Sequence, residues 1–161
     1  MDFGLSAEQV GLRDSINRYL DEHVGLDRVR AYAAGDDCRD IWRGLAELGV
    51  PSLIVPENQG GVGLKVLDAA LIAECLGAHA APAPFIGSAV IAPLALRYAE
   101  TGMRDSILAE LVDGNATAGV AFSELPGPRG DAGTRATAGK LSGKSLFVLD
   151  PLAEFLFVAT A

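Results

Sequence analysis

Basic residues are scarce in this sequence: 13 Lys and Arg stand against 21 Asp and Glu, a formal charge of −8. Phosphate binding needs a basic face, so no nucleic-acid partner is expected. Cysteine is scarcer still. Cys38 and Cys75 lie far apart with no metal-ligand spacing, which excludes a disulfide scaffold and a zinc site and points to a reducing compartment, the cytoplasm. Long hydrophobic runs are also missing. The longest uncharged stretch, 80–96, contains Pro82, Pro84 and Pro93 and is short for a membrane span, so it reads as a buried helix with a proline-rich entry. Polar residues occur within the first six positions, and no secretory leader is expected.

Residues that announce chemistry are missing as well. His23 and His79 have no Ser or Cys partner at a recognisable spacing and read as structural or surface groups. Cys75 reads as a small core residue, and Asp36 with Asp37 as a solvated turn. Gly60, Gly61 and Gly63 lack a following Lys-Ser/Thr and the spacing of a dinucleotide fingerprint, so they predict a tight turn rather than a phosphate loop.

Apolar residues, by contrast, make up 50% of the 161 positions. That is ample for one domain, or one domain and part of another, with apolar surface left for a neighbour. Ser6 and Gln9 form a capping box, with Leu5 and Val10 placed as a staple, and Leu12, Ile16, Tyr19 and Leu20 recur at helical spacing. A short helix over 26–34 ends at Gly35. Asp40 is placed to cap a third helix carrying Ile41, Trp42, Leu45 and Leu48, stopped by Gly49 and Pro51. Helix is expected again from 66 to about 76, with Val66, Leu67, Ala70 and Leu71 as its apolar residues, then over 86–99, and over 105–112 closed by Gly114.

The pattern changes near Asn115. Positions 118–125 form an apolar run; 134–138 and 144–150 alternate like strands around a turn at Gly139 and Gly143; 155–159 is another strand. The expectation is an α+β chain: an all-α domain at 1–115, then at 116–161 the first strands of an antiparallel β-barrel domain, incomplete at its last strand. So few strands leave edges to be paired by something else.

Order and spacing carry a resemblance. WRGLAELG at 42–49, VPENQGGVGL at 55–64 and AECLG at 73–77, preceded by FGLSAEQ at 3–9 and followed by APAPF at 81–85, together resemble the N-terminal domain of acyl-CoA dehydrogenases. VAFSE at 120–124 resembles that family's Thr/Ser-Glu-Pro segment, and LSGKSLFVLD at 141–150 with FLFVA at 155–159 is similar to its strands beside the flavin. The resemblance implies FAD as cofactor, a Ser123 hydroxyl and neighbouring Phe122 at the flavin pyrimidine edge, and Phe147 packed on the ring. Leu149 stands where many members carry a Thr whose hydroxyl approaches flavin N5. Pro126 comes one residue late, and Gly127 to Asp131 depart from the usual pattern.

The reaction implied is α,β-dehydrogenation of an acyl-CoA thioester: a base takes the α proton and FAD accepts the β hydrogen as hydride. The acyl pocket is expected along the helix beginning at Phe85, with Ser88 and Ala89. No acid here is assigned as the base, which the family carries in a later helical domain, so the expectation for this chain is no catalytic residue and no metal. An electron-transfer acceptor and a homo- or hetero-oligomer, a tetramer by resemblance, are implied. The alternative is a degenerate partner subunit of a heteromeric dehydrogenase without its own flavin, which Leu149 favours.

Overall fold

The computed structural model describes residues 4–37, 39–100, 102–122 and 132–160. Helix α1 (Ala7–His23) starts where the capping box places it: Ser6 Oγ accepts the Gln9 N–H and Gln9 Oε1 accepts the Ser6 N–H. Helix α2 (Leu26–Ala33) stops before Gly35, whose φ of 106° suits glycine. Helix α3 (Arg39–Glu47) begins one residue ahead of the expected cap. Asp40 therefore lies inside its first turn, and it is Asp37 whose carboxylate accepts the Arg39 N–H. At the other end Gly49 N–H reaches the Ala46 carbonyl and Val50 N–H the Leu45 carbonyl, a Schellman ending that Gly49 permits with φ 79°.

Helix α4 (Val66–Ala78) buries Asp68, Ala69, Leu71, Ile72, Cys75 and Leu76. Val66, Leu67 and Ala70, expected on its apolar face, point outward instead. The next helix opens as a π-helix over Ile86–Ile91 and tightens into α5 (Ala92–Arg97); α6 (Arg104–Val112) follows and ends at Gly114, φ 69°. The main core gathers Ile16 and Leu20 of α1, Ile41, Trp42 and Leu45 of α3, Ile72 and Cys75 of α4, and Phe85 and Ala89. Leu48, expected with them, is 41% exposed.

Strand β1 (Ala118–Ala121) pairs with β4 (Phe155–Val158), and β2 (Gly133–Thr137) with β3 (Lys140–Lys144). Two expectations are corrected. The β1–β4 pair is parallel rather than antiparallel, and among the described residues the two small sheets form no closed barrel. The second strand of the hairpin is 140–144, not 144–150. Ala138 and Gly139 both take positive φ, 50° and 75°, and such a two-residue turn reverses the chain at once. A second apolar cluster of Val55, Ala92, Leu96, Leu108, Leu111 and Ala118, flanked by Phe155 and Phe157, packs the first sheet onto the helices. Among the described residues no helix is long and apolar enough to cross a membrane.

Candidate functional site

Strand β1 is the structural centre of the candidate site. Its sequence AGVA is small because both faces are covered, and all four residues are buried. Gly119 is required there: a β-carbon would stand 2.3 Å from the Asp150 carbonyl oxygen. β4 covers one edge. On the other, Leu149 and Val120 exchange both backbone bonds, at 2.9 and 3.0 Å, as an isolated antiparallel bridge.

Val120 and Leu149 stand directly opposite, so their side chains share a face, and the period of two puts Phe122 on it as well. Continued one step, the same register would set Phe122 against Phe147. The pairing stops there because Phe147 takes φ 52° and leaves the strand conformation. Phe147 is thus on a bend rather than on the expected strand, and is 77% exposed; Leu149 is 47% exposed and Phe122 half-buried. Phe122 and Phe147 each lie two residues beyond the Val120–Leu149 bridge, at the corner of the sheet where the pairing stops. Ser123 lies outside the described residues, as do Glu124, Pro126 and the departures at 127–131.

The expected acyl-side residues belong to the helix that crosses beneath. Phe85, Ser88 and Ala89 are buried at 3%, 0% and 1% exposure. Phe85 and Ala89 lie in the main core, and the Ser88 hydroxyl oxygen accepts the Ala118 N–H at 2.8 Å. From the same helix Ile86 reaches solvent.

Two acids beside β1 were not singled out by sequence. Asp150 is half-buried with φ 49°, and desolvation pushes its carboxyl above the ordinary range. A β-carbon at Gly87 would stand 3.5 Å from its Oδ2. Glu154 accepts both the Thr117 N–H and the Thr117 hydroxyl, at 2.8 and 2.7 Å, and these bonds hold it below the usual carboxylate range. Neither carries a spacing that a single sequence would flag.

The glycine cluster is a folded turn. Val62, Gly63 and Leu64 donate their N–H groups to Ser52, Val55 and Leu53, and Gly61 donates to Pro56, which leaves no cradle of free N–H groups for a phosphate. The histidines are structural. His23 stacks on Tyr19 at 4.4 Å, and His79 bonds the Cys75 carbonyl and Asp21. Among the described residues no three His, Cys, Asp or Glu could hold a metal ion. An open groove of about 410 Å³ lies elsewhere, between Ile54, Pro56, Glu57, Asn58, Leu64 and Arg97, and shares no residue with the β1 corner.

The chain is thus a helical body packed on a small β region. Residues 6–115 match the family model for the acyl-CoA dehydrogenase N-terminal domain, and the chain belongs to that family. It is 32% identical over 152 residues to acyl-CoA dehydrogenase IpdE2 of Mycobacterium tuberculosis, across 91% of this chain and 47% of the relative. It is 34% identical over 76 residues to mitochondrial isovaleryl-CoA dehydrogenase of Pongo abelii, across 44% and 17%. Among solved structures, a variant of the Tcur3481-Tcur3483 steroid ACAD superposes with a TM-score of 0.81 at 27% identity, covering 96% of this chain and 45% of that one. The FAD complex of PigA shares the fold, with a TM-score of 0.77 at 24% identity over 100% and 46%. The chain spans about half the length or less of the relatives it matches.

Proposed function

We propose that this chain is the helical domain (1–115) and the flavin-side beginning of the β domain (116–161) of an FAD-dependent acyl-CoA dehydrogenase. The carrying observation is the corner of Phe122, Phe147 and Leu149 beside β1, in a chain of that family. The residues present fit the flat face of the flavin, because Phe147 and Leu149 offer exposed apolar surface where a ring would exclude water. Its polar edge falls to the Ser123 hydroxyl, the one polar side chain in the run 118–123. Bound FAD would supply the hydride acceptor for α,β-dehydrogenation of an acyl-CoA thioester.

The residues of this chain bind and orient. Phe147 and Leu149 shield the ring, Ser123 hydrogen-bonds it, and the helix that begins at Phe85 walls the acyl side, with Phe85, Ser88 and Ala89 setting that wall from behind. Glu154 is spent on Thr117 and Asp150 packs against the helix, so neither is assigned as the base. Reoxidation by an electron-transfer acceptor, an oligomeric assembly and a cytoplasmic location belong to the same reading.

A second reading is favoured by Leu149. It has no hydroxyl, and its N–H is already bonded to the Val120 carbonyl at 3.0 Å, so neither group is left to meet a flavin nitrogen. The chain would then be a partner subunit without flavin of its own. The relatives of similar fold include the Tcur3481-Tcur3483 steroid ACAD and the ChsE4-ChsE5 complex. A visible absorbance spectrum of the full-length protein, purified alone and then with its partner, separates the two. Flavin bands in the protein alone support the first reading; bands that require the partner support the second.

A further inference from the structure

The edge of β1 that faces away from β4 is covered by two different elements. Leu149 takes both backbone groups of Val120. Ala118, two residues earlier, turns its N–H to the same edge, but the bridge to Leu149 is isolated and, among the described residues, no strand continues beside it. Ser88 fills that place. Its oxygen accepts the Ala118 N–H at 2.8 Å, and both residues are fully buried. The Ala118 carbonyl oxygen lies against Gly87, where a β-carbon would approach to 2.0 Å. Gly87 thus gives the close approach and Ser88 gives the acceptor. Both sit in the π-helix, a rare conformation that concentrates at functional sites.

We propose that Ser88 is a positioning residue: it substitutes for a third strand at Ala118, fixes β1 against the helix Ile86–Ile91, and so sets where Phe122, just past the end of β1, stands relative to bound FAD. The flavin half of this inference rests on the function proposed above; the strand half does not. Ala118 is buried, so loss of the Ser88 acceptor leaves its N–H with neither protein nor water, and the strand must shift or open to recover a partner.

The test uses the full-length protein with Ser88→Ala, Ser88→Thr and, as a control, Ser52→Ala. The Ser52 hydroxyl donates to the Gly49 carbonyl in the turn after α3. Amide hydrogen exchange and FAD titration are measured on each. Ser88→Ala should speed exchange at Ala118 and Val120 about ten-fold beyond any change in Ser52→Ala at matched global stability. It should also weaken FAD binding about five-fold, the worth of one hydrogen bond. Ser88→Thr, which keeps the acceptor, should restore both. If Ser88→Ala does not fold, Ser88→Cys, with a poor acceptor, carries the same comparison. Equal exchange at β1 in Ser88→Ala and Ser52→Ala would overturn the proposal, and so would faster exchange with unchanged FAD affinity. If the wild-type protein takes up no FAD, the flavin reading falls, while exchange at Ala118 still decides whether Ser88 positions the strand.

Discussion

Gln9 and Asp68 join the first turns of two helices: the Gln9 amide nitrogen donates to Asp68 Oδ1 at 2.8 Å while Gln9 Oε1 accepts the Ser6 N–H. Asp68 in turn accepts the Lys65 N–H at 2.9 Å, just before α4. One amide therefore closes the cap of α1 and holds a buried carboxylate on α4. The Gln9 bond first, and the Lys65 N–H second, keep Asp68 below the usual carboxylate range.

Gln9→Ala should cost about 1–2 kcal/mol at pH 7, since it removes a cap bond and a bond to a charged group. A depressed carboxylate stabilises the fold above its unfolded pKa of about 3.9, and that contribution is lost as pH falls through the lower folded value. The gap between wild type and Gln9→Ala in urea melts should therefore shrink on acidification below about pH 4. A gap that is constant with pH would show that the bond to Asp68 adds nothing.

His79 should show the opposite sign. Its Nδ1 lies 2.8 Å from the Cys75 carbonyl oxygen and its Nε2 lies 3.0 Å from Asp21 Oδ1. Two acceptors call for two ring protons, and the backbone carbonyl first, then Asp21, raises its pKa. A raised pKa stabilises fully below the unfolded value of about 6.5 and is lost as pH rises through the folded value. His79→Gln should cost about 0.5–1 kcal/mol at pH 5.5, typical of a cation at a helix C-terminus, and less at pH 8.5. Equal cost at both would contradict the imidazolium latch between α4 and α1.

Glycine exchanges should divide by location. Gly11 has nothing within 4 Å of its would-be β-carbon and sits within α1, so Gly11→Ala should stabilise by about 0.5–1 kcal/mol. A β-carbon at Gly61 would meet the Val55 carbonyl oxygen at 2.0 Å, and Gly61→Ala should cost about 1–3 kcal/mol. Thermal melts of the two variants should move in opposite directions.

Trp42 is 3% exposed in the main core, and Trp42→Ala should cost about 3–5 kcal/mol. Its indole N–H has no acceptor among the described residues. Trp42→Phe removes that unpaired donor, whose burial costs about 1–3 kcal/mol, and should lose less than half as much in a urea melt.

Local chemistry made much of the helical part legible. Ser6 and Gln9 announced α1, Gly49 and Pro51 ended α3, and Gly114 closed α6, because caps and stops act within a few residues. Helix faces were less legible. Val66 and Leu67 are apolar yet point outward, while the acid Asp68 points inward, because Gln9, 59 positions away, satisfies it. The π-helix was invisible, since small residues such as Gly87, Ser88 and Ala89 fit several helical periods.

The hairpin was misread by four residues because Ala138 is an unusual occupant of a positive-φ turn position. The parallel pairing of Ala118 with Phe155 spans too much chain for any local signal. At the site, Phe122, Phe147 and Leu149 were named only through family resemblance, and the bend that takes Phe147 out of the strand has no local signal. The Ser88–Ala118 bond and the half-buried Asp150 were not named at all, since neither follows from spacing.

The most direct test is the visible spectrum of the full-length native protein before and after addition of an acyl-CoA. The account predicts flavin bands near one FAD per chain that bleach as substrate reduces the ring, and a tighter FAD in Leu149→Thr, which supplies a hydroxyl at the corner. A protein that carries no flavin, takes none up on titration and responds to neither Leu149→Thr nor Ser123→Ala would contradict the flavin role of this chain.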